Sequence, residues 1–388
     1  MLLKNLDIIK QGQGHIHIVG DKIKKIYFDP EDISVKDELE LDCKGALAFP
    51  GLINSHDHLE FNLFPQLGNY HYKNYVEWGD DIHRQNKEVI NDVLKIPKEI
   101  RVQFGIYKNL LNGVTTVVQH GEYFQLSDPI IDIFQDSYSL HSVCLEKKWK
   151  LQLNRPFRRP RPFVIHVGEG VDLESKEEIN ELTRWNLFKR KLIAIHGVAM
   201  TEKQARSFEA LIWCPDSNFF LFNATADINK LRQHTKILFG TDSTLSANWN
   251  LWEQLRLARR TQQLSDEDLF DSLTTTASDV WGFNDIGSLK TGKGADIVVA
   301  RQKNEGDLLD RFFDINPADI LLVIKKGKVV LFDESMYNPM ARLGNQNFSM
   351  VSFTKGKKYV KGDLPALLKD IKQYMPQIQF SFIDYLPG

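Results

Sequence analysis

The chain has 388 residues, 42% of them hydrophobic, with 49 lysines and arginines against 51 aspartates and glutamates. That length and composition exclude a disordered or fibrous chain and suit either two domains or one large α/β barrel with additions. A formal charge of −2 leaves no basic excess for a phosphate backbone, which argues against a dedicated nucleic-acid binder.

Cys43, Cys144 and Cys214 lie far apart and form no CxxC pair, so neither a disulfide framework nor a thiolate zinc site is expected. The opening residues lack a charged segment followed by a long apolar one, and no window approaches the roughly 20 apolar residues of a membrane span. A reducing cytoplasm is the expected location. All eleven histidines fall within the first 234 residues, so a histidine-built site belongs to the first part of the chain.

Residues 2 to 28 alternate apolar and polar side chains, as in Leu6–Ile9, His15–Val19 and Ile23–Tyr27, the pattern of a half-buried antiparallel sheet. The same texture returns in Ala295–Ala300, Ile320–Ile324 and Lys328–Phe332. One small β-sandwich assembled from both termini, residues 1–50 and 288–335, is therefore expected.

Between these segments, short apolar runs alternate with longer amphipathic stretches. The runs are Leu47–Phe49, Val114–Val118, Ser139–Val143, Phe163–Ile165, Leu192–Ile195, Leu211–Trp213 and Ile237–Phe239. Helical stretches are expected at Pro97–Leu111, Lys176–Arg190 and Asn250–Gln263. This is the order of βα units around a parallel sheet, so the fold class is α/β, a TIM-like (β/α)₈ barrel over residues 51–287. Residues 336–388 carry no motif and one helical piece near Leu364–Tyr374. They are expected to pack on the barrel as a C-terminal extension, with a partner-binding tail as the alternative.

Catalytic groups of a βα barrel sit where strands end. His56-Asp57-His58 follows Phe49-Pro50-Gly51, His166 follows Phe163-Val164-Ile165, His196 follows Ile195, and Asp242 follows Phe239-Gly240-Thr241. Imidazole and carboxylate are ligands for Zn²⁺ or Fe²⁺. In extended chain, residues two apart share a side, so His56 and His58 reach one ion while Asp57 points away. His166 to His196 spans 30 residues, one βα unit, and His196 to Asp242 spans 46, two units. One divalent ion on His56, His58, His166 and Asp242, with a position left for water, is the expectation.

These residues give the chain its resemblance to the amidohydrolase superfamily, and within it to the single-metal branch of cytosine deaminase, guanine deaminase and the triazine chlorohydrolases. It is carried by Pro50–His58, Asn112–Val117, His166 with Glu169, His196, Cys214–Asn218, Gly240–Ser243 and Gly287–Asp296, over about residues 1–335. The resemblance implies hydrolysis of a non-peptide carbon–nitrogen bond, with deamination of a small heterocycle as the leading form. Asp242 would be both ligand and base, Glu169 the proton shuttle and His196 the group orienting hydroxide and steadying the oxyanion. Opening of a cyclic amide, as in imidazolonepropionase-like relatives, is the second enzymatic reading. A metal-free scaffold protein is the non-enzymatic one, and it would lose ligand residues that are present here.

Two features depart from the family pattern. His120 and His166 are 46 residues apart, tight for two full units, so the third and fourth are expected to be abbreviated. Two-metal relatives carry a carboxylated lysine on the fourth strand, for which Lys147, Lys148 or Lys150 are candidates, but Glu169 beside His166 suits one metal. His120, Asn218 and Ser243 are the expected substrate contacts, and the segment Trp78–His83 is a candidate lid. His15-Ile16-His17 and the GxxxxGK of Gly287–Lys293 read as structural, and Arg155–Arg161 as a solvated loop. The expected partners are a small-molecule substrate and at most a second copy of the chain in a homodimer, with neither nucleic acid nor membrane.

Overall fold

Alternation in the first 27 residues produces the strands Leu2–Ile8, Gly12–Val19 and Lys22–Tyr27, whose inward side chains Leu3, Leu6, Ile16, Ile18 and Ile23 are buried. The computed structural model describes residues 1–35, 38–341, 347–353 and 356–380. Glu40–Pro50 runs parallel to Leu2–Ile8 on one edge and antiparallel to Ile297–Ala300 on the other. That double pairing joins the two terminal groups, so the seven strands of the segments expected as a sandwich lie in one hydrogen-bonded series, which numbers nine among the described residues. Leu47–Phe49 lies in this sheet and is not a barrel strand, because it pairs with Asp7, Ile8 and Val298–Ala300.

The last stretch divides between the terminal sheet and the barrel. Phe348–Phe353 and Gly356–Lys361 extend the terminal sheet beyond Lys328–Asp333, and the helix Leu364–Tyr374 packs on the helix Lys98–Leu111. Tyr107 ties the two regions by donating to the Lys361 carbonyl at 3.0 Å.

At Gly51 the chain passes from sheet to barrel. A Cβ there would lie 2.2 Å from Thr115 Oγ1, so only glycine allows the two backbones this close. Leu52–Asp57, Val114–Gln119 and Asp132–Phe134 pair in parallel as one arc. Tyr138–Ser142, Phe163–Val167, Leu192–His196, Ala210–Trp213 and Lys236–Phe239 form the other. The barrel closes between its last and first strands, where Thr241 and Asp242 N–H both donate to the His56 carbonyl at 3.1 Å. Ile53, Val118, Val164, Ile195, Ile212 and Leu238 are buried in one cluster.

Only residues 135–137 separate Asp132–Phe134 from Tyr138–Ser142, with no helix between. One ascending segment therefore serves neighbours on both sides, and this is where the tight spacing between His120 and His166 is absorbed. Of the expected helices, Lys98–Leu111 and Leu251–Arg260 lie where the apolar period put them. The third runs Leu173–Trp185, earlier than its period suggested, because Asp172 caps it by accepting from Ser175 N at 2.9 Å.

Candidate metal centre and active site

Strand ends bring His56, His58, His166, His196 and Asp242 together at one rim of the barrel. His166 Nε2 lies 3.3 Å from both His56 Nε2 and His58 Nε2. Nitrogens about 2.05 Å from a tetrahedral ion sit about 3.3 Å apart, so these three have the spacing of ligands already converged on one point. The His166 Nδ1–H donates to the His141 carbonyl at 2.8 Å, which turns its proton away and aims the Nε2 lone pair at that point. Burial, then the neighbouring imidazoles, pushes His166 well below the ordinary histidine range, keeping it neutral as a ligand must be.

Asp242 faces this trio, with Oδ1 3.6 Å from His56 Nε2 and 4.0 Å from His58 Nε2. It sits in the left-handed region at φ 54°, and Ser243 N donates to Oδ1 at 2.8 Å. Ser217 and Ser246 hydroxyls each donate to Oδ2 at 2.9 Å. Burial opposes its charge, but His56, His196 and His58 outweigh burial and hold the carboxyl well below its usual range. These residues form a site for a divalent ion, with His56, His58 and His166 in one ligand group and His56, His196 and Asp242 in an overlapping one.

His196 is fixed from behind. Its Nδ1–H donates to Asn218 Oδ1 at 2.8 Å, and Asn218 in turn donates to Thr225 Oγ1 at 3.1 Å. Nε2 then faces Glu169 Oε1 at 3.5 Å and Asp242 Oδ2 at 3.9 Å. Burial lowers His196 to about 4, so Nε2 is a hydrogen-bond acceptor at neutral pH rather than the standing donor that an oxyanion role needs. Burial, then Asp242 and Glu178, raises Glu169 well above the ordinary carboxyl range.

Above the ligands lies a cavity of about 370 Å³, within the size range of small-molecule sites. Ser243 lines it, but His120 and Asn218 do not. His120 packs edge-on against His166 with ring centroids 4.5 Å apart, and both its ring nitrogens lack hydrogen-bond partners among the described residues. Trp78, Gly79, Ile82 and His83 of the helix Tyr75–Gln85 line the cavity, as does His141. Lys147, Lys148 and Lys150 are absent from its lining, and Lys150 pairs with Glu181 at 2.5 Å.

A layer that sequence reasoning missed lies under the ligands. Asp57 points away from the ligand imidazoles, as alternation requires, into a fully buried cluster. Its Oδ2 accepts from Lys108 Nζ at 3.0 Å and Asn109 Nδ2 at 2.8 Å, and its Oδ1 from Asn62 at 2.8 Å. Lys108 also donates to Thr241 Oγ1 and the Asp242 carbonyl, both at 3.2 Å. Asn54 ties the same strands by accepting from Thr241 N at 3.1 Å. The signal for Lys108 was present as a lone lysine within the apolar run Gly105–Leu111. The histidines of His15-Ile16-His17 stay in the sheet, where His15 Nδ1 accepts from Asn5 N and His17 meets Glu38.

Fold and site together define a metal-dependent hydrolase. The sequence profile of the amidohydrolase family matches residues 160–330. The chain is 24% identical to a 5-methylthioadenosine/S-adenosylhomocysteine deaminase of Halothermothrix orenii, covering 87% of this chain and 95% of that protein. It is 24% identical to one so named in Carboxydothermus hydrogenoformans, covering 93% and 99%. Among solved structures it resembles an adenosine deaminase from Xanthomonas campestris with bound zinc, at a TM-score of 0.70, 16% identity and coverage of 97% and 98%. Over residues 160–330 the chain matches the amidohydrolase family, and its two overlapping ligand groups, which share His56, make one site for a divalent ion.

Proposed function

We propose that the chain is a zinc-dependent deaminase that replaces the exocyclic amine of a small aminated heterocycle, of purine or nucleoside type, by oxygen. The observation that carries this reading is the pairing of three converged imidazoles with a buried, proton-retaining Glu169 on the same cavity floor. His56, His58, His166 and Asp242 would hold a divalent ion, which would supply an acidified water as nucleophile. Asp242, held anionic, takes a proton from the attacking water. Glu169, held protonated, gives its proton to the ring nitrogen beside the carbon under attack. His196 accepts a hydrogen bond from the water through Nε2 and so orients it. The water oxygen bonds to the ring carbon, Glu169 carries the remaining hydroxyl proton to the amine, the C–N bond breaks to leave a carbonyl and ammonia, and the proton taken by Asp242 restores Glu169.

Similarity to named deaminases supports the reaction type, and no helix among the described residues is long and apolar enough to cross a membrane. A cytoplasmic location fits its three free cysteines.

The test combines metal analysis of the purified protein with ammonia release over aminopurines, aminopyrimidines, pterins and cyclic amides. One equivalent of zinc, lost in His166→Ala, and ammonia from an aminated ring are expected. Glu169→Gln should keep the metal and lose about 10²–10⁴-fold in kcat. Trace metal only would refute the enzyme reading, and ring opening without ammonia would replace deamination by cyclic amide hydrolysis.

A further inference from the structure

The cavity has two unlike halves. Its floor carries His58, His166, Glu169, His196, Asp242 and Ser243. Its wall is made by Phe61, Phe64, Trp78, Ile82, Leu94 and Leu145. Tyr75, Trp78, Gly79, Ile82 and His83 recur at helical spacing, so one stripe of the helix Tyr75–Gln85 faces the cavity.

Three polar atoms of this wall are engaged within the protein. Trp78 Nε1 donates to the Leu67 carbonyl at 2.7 Å, the Tyr75 hydroxyl to Glu178 Oε2 at 3.2 Å, and His83 Nδ1–H to the Gly79 carbonyl at 2.7 Å. Charged groups of the same helix turn elsewhere. Glu77 accepts from Lys73 N, and Asp81 binds the Tyr72 hydroxyl and Arg84. Among the described residues, no lysine or arginine lines the cavity, and no carboxylate other than Glu169 and Asp242 does so.

We propose that the substrate is an aminated heterocycle bearing a neutral, apolar arm, alkyl, alkylthio or aryl, that lies along this wall, and that zwitterionic or anionic arms are rejected. The proposal rests on the deaminase reading and narrows its substrate. The ring occupies the floor, where Glu169 reaches its nitrogen, and the arm covers Trp78, Ile82 and Leu94. An apolar arm gains from leaving water, whereas a charged arm would shed its hydration against a wall that offers it no lysine, arginine or carboxylate.

The test uses three 6-aminopurine nucleoside thioethers that share the ring and sugar and carry methyl, butyl or aminocarboxypropyl on sulfur. Ammonia release gives kcat/KM, and calorimetry gives binding independently of turnover. The constant should rise about fourfold for each added methylene that is buried. The aminocarboxypropyl compound should fall at least about a hundredfold below the butyl one in both readouts. Leu94→Arg, at a position 48% exposed and so tolerant of charge, should narrow that gap at least about tenfold by pairing with the carboxylate. Equal binding of the butyl and aminocarboxypropyl compounds would overturn the proposal. Ordered binding without ammonia from any compound would uphold the apolar wall and overturn the deaminase reading instead.

Discussion

Substituting Lys108 by methionine keeps the length of the side chain and removes its charge. In the native protein the ammonium is 3.0 Å from Asp57 Oδ2, with both side chains at most 2% exposed. The variant leaves the Asp57 carboxylate buried with its amide donors Asn62 and Asn109 but no counter-charge. Breaking such a pair costs about 3–5 kcal/mol, a large share of the about 5–15 kcal/mol that holds a typical fold together. Adding Asp57→Asn removes the stranded charge, so the double variant should recover part of the loss, with a coupling of at least about 2 kcal/mol. Urea unfolding of the chelated proteins measures all four corners of the cycle. Lys108 also holds the Asp242 carbonyl, and Asp57 sits between His56 and His58. The single variant should therefore weaken divalent-ion binding by about 10–100-fold as well. A loss under about 1 kcal/mol, with no coupling, would refute the reasoning that this pair holds the ligand strands in place.

Asn218→Ala removes the acceptor of the His196 Nδ1–H; kcat should fall about 10–100-fold while metal content and KM stay near native, and a variant short of zinc would show a ligand role instead. Gly105→Ala should destabilise by about 1–3 kcal/mol in thermal unfolding, reversing the sign usual for glycine in a helix, because the new Cβ would lie 2.3 Å from the Leu59 carbonyl. Burial raises Glu178 to about 7 despite its bonds to Gly168 N and Tyr75. The folded chain therefore binds the extra proton between the unfolded value near 4.5 and 7, and stability from this group is lost as pH rises through that window. Glu178→Gln should flatten the stability profile there, gaining about 3 kcal/mol on wild type at pH 8 relative to pH 4. An unchanged slope would dismiss Glu178 as its source.

Much of the site was legible because each ligand occupies a fixed place relative to a local pattern. An apolar run announces a strand and the residue after it stands at the rim, so His166, His196 and Asp242 could be read from their own neighbourhoods. His56 and His58 share a side because a strand has period two, and the same rule turned Asp57 away. What Asp57 turns toward is another matter. Lys108, Asn109 and Thr241 lie 51 to 184 residues from it along the chain, and no local period relates them. The tertiary structure also put His120 and Asn218 behind the ligands, since both follow strand ends and differ only in how neighbouring rings and loops pack. Likewise, the short spacing before His166 announced missing chain. Only hydrogen bonding on both sides of residues 132–142 decided that a single rising segment would fill the gap. Local periodicity thus determined the chemistry of the rim, while the buried ion pair beneath it and the apolar wall above it came from contacts between distant segments, which exist only once the barrel has closed.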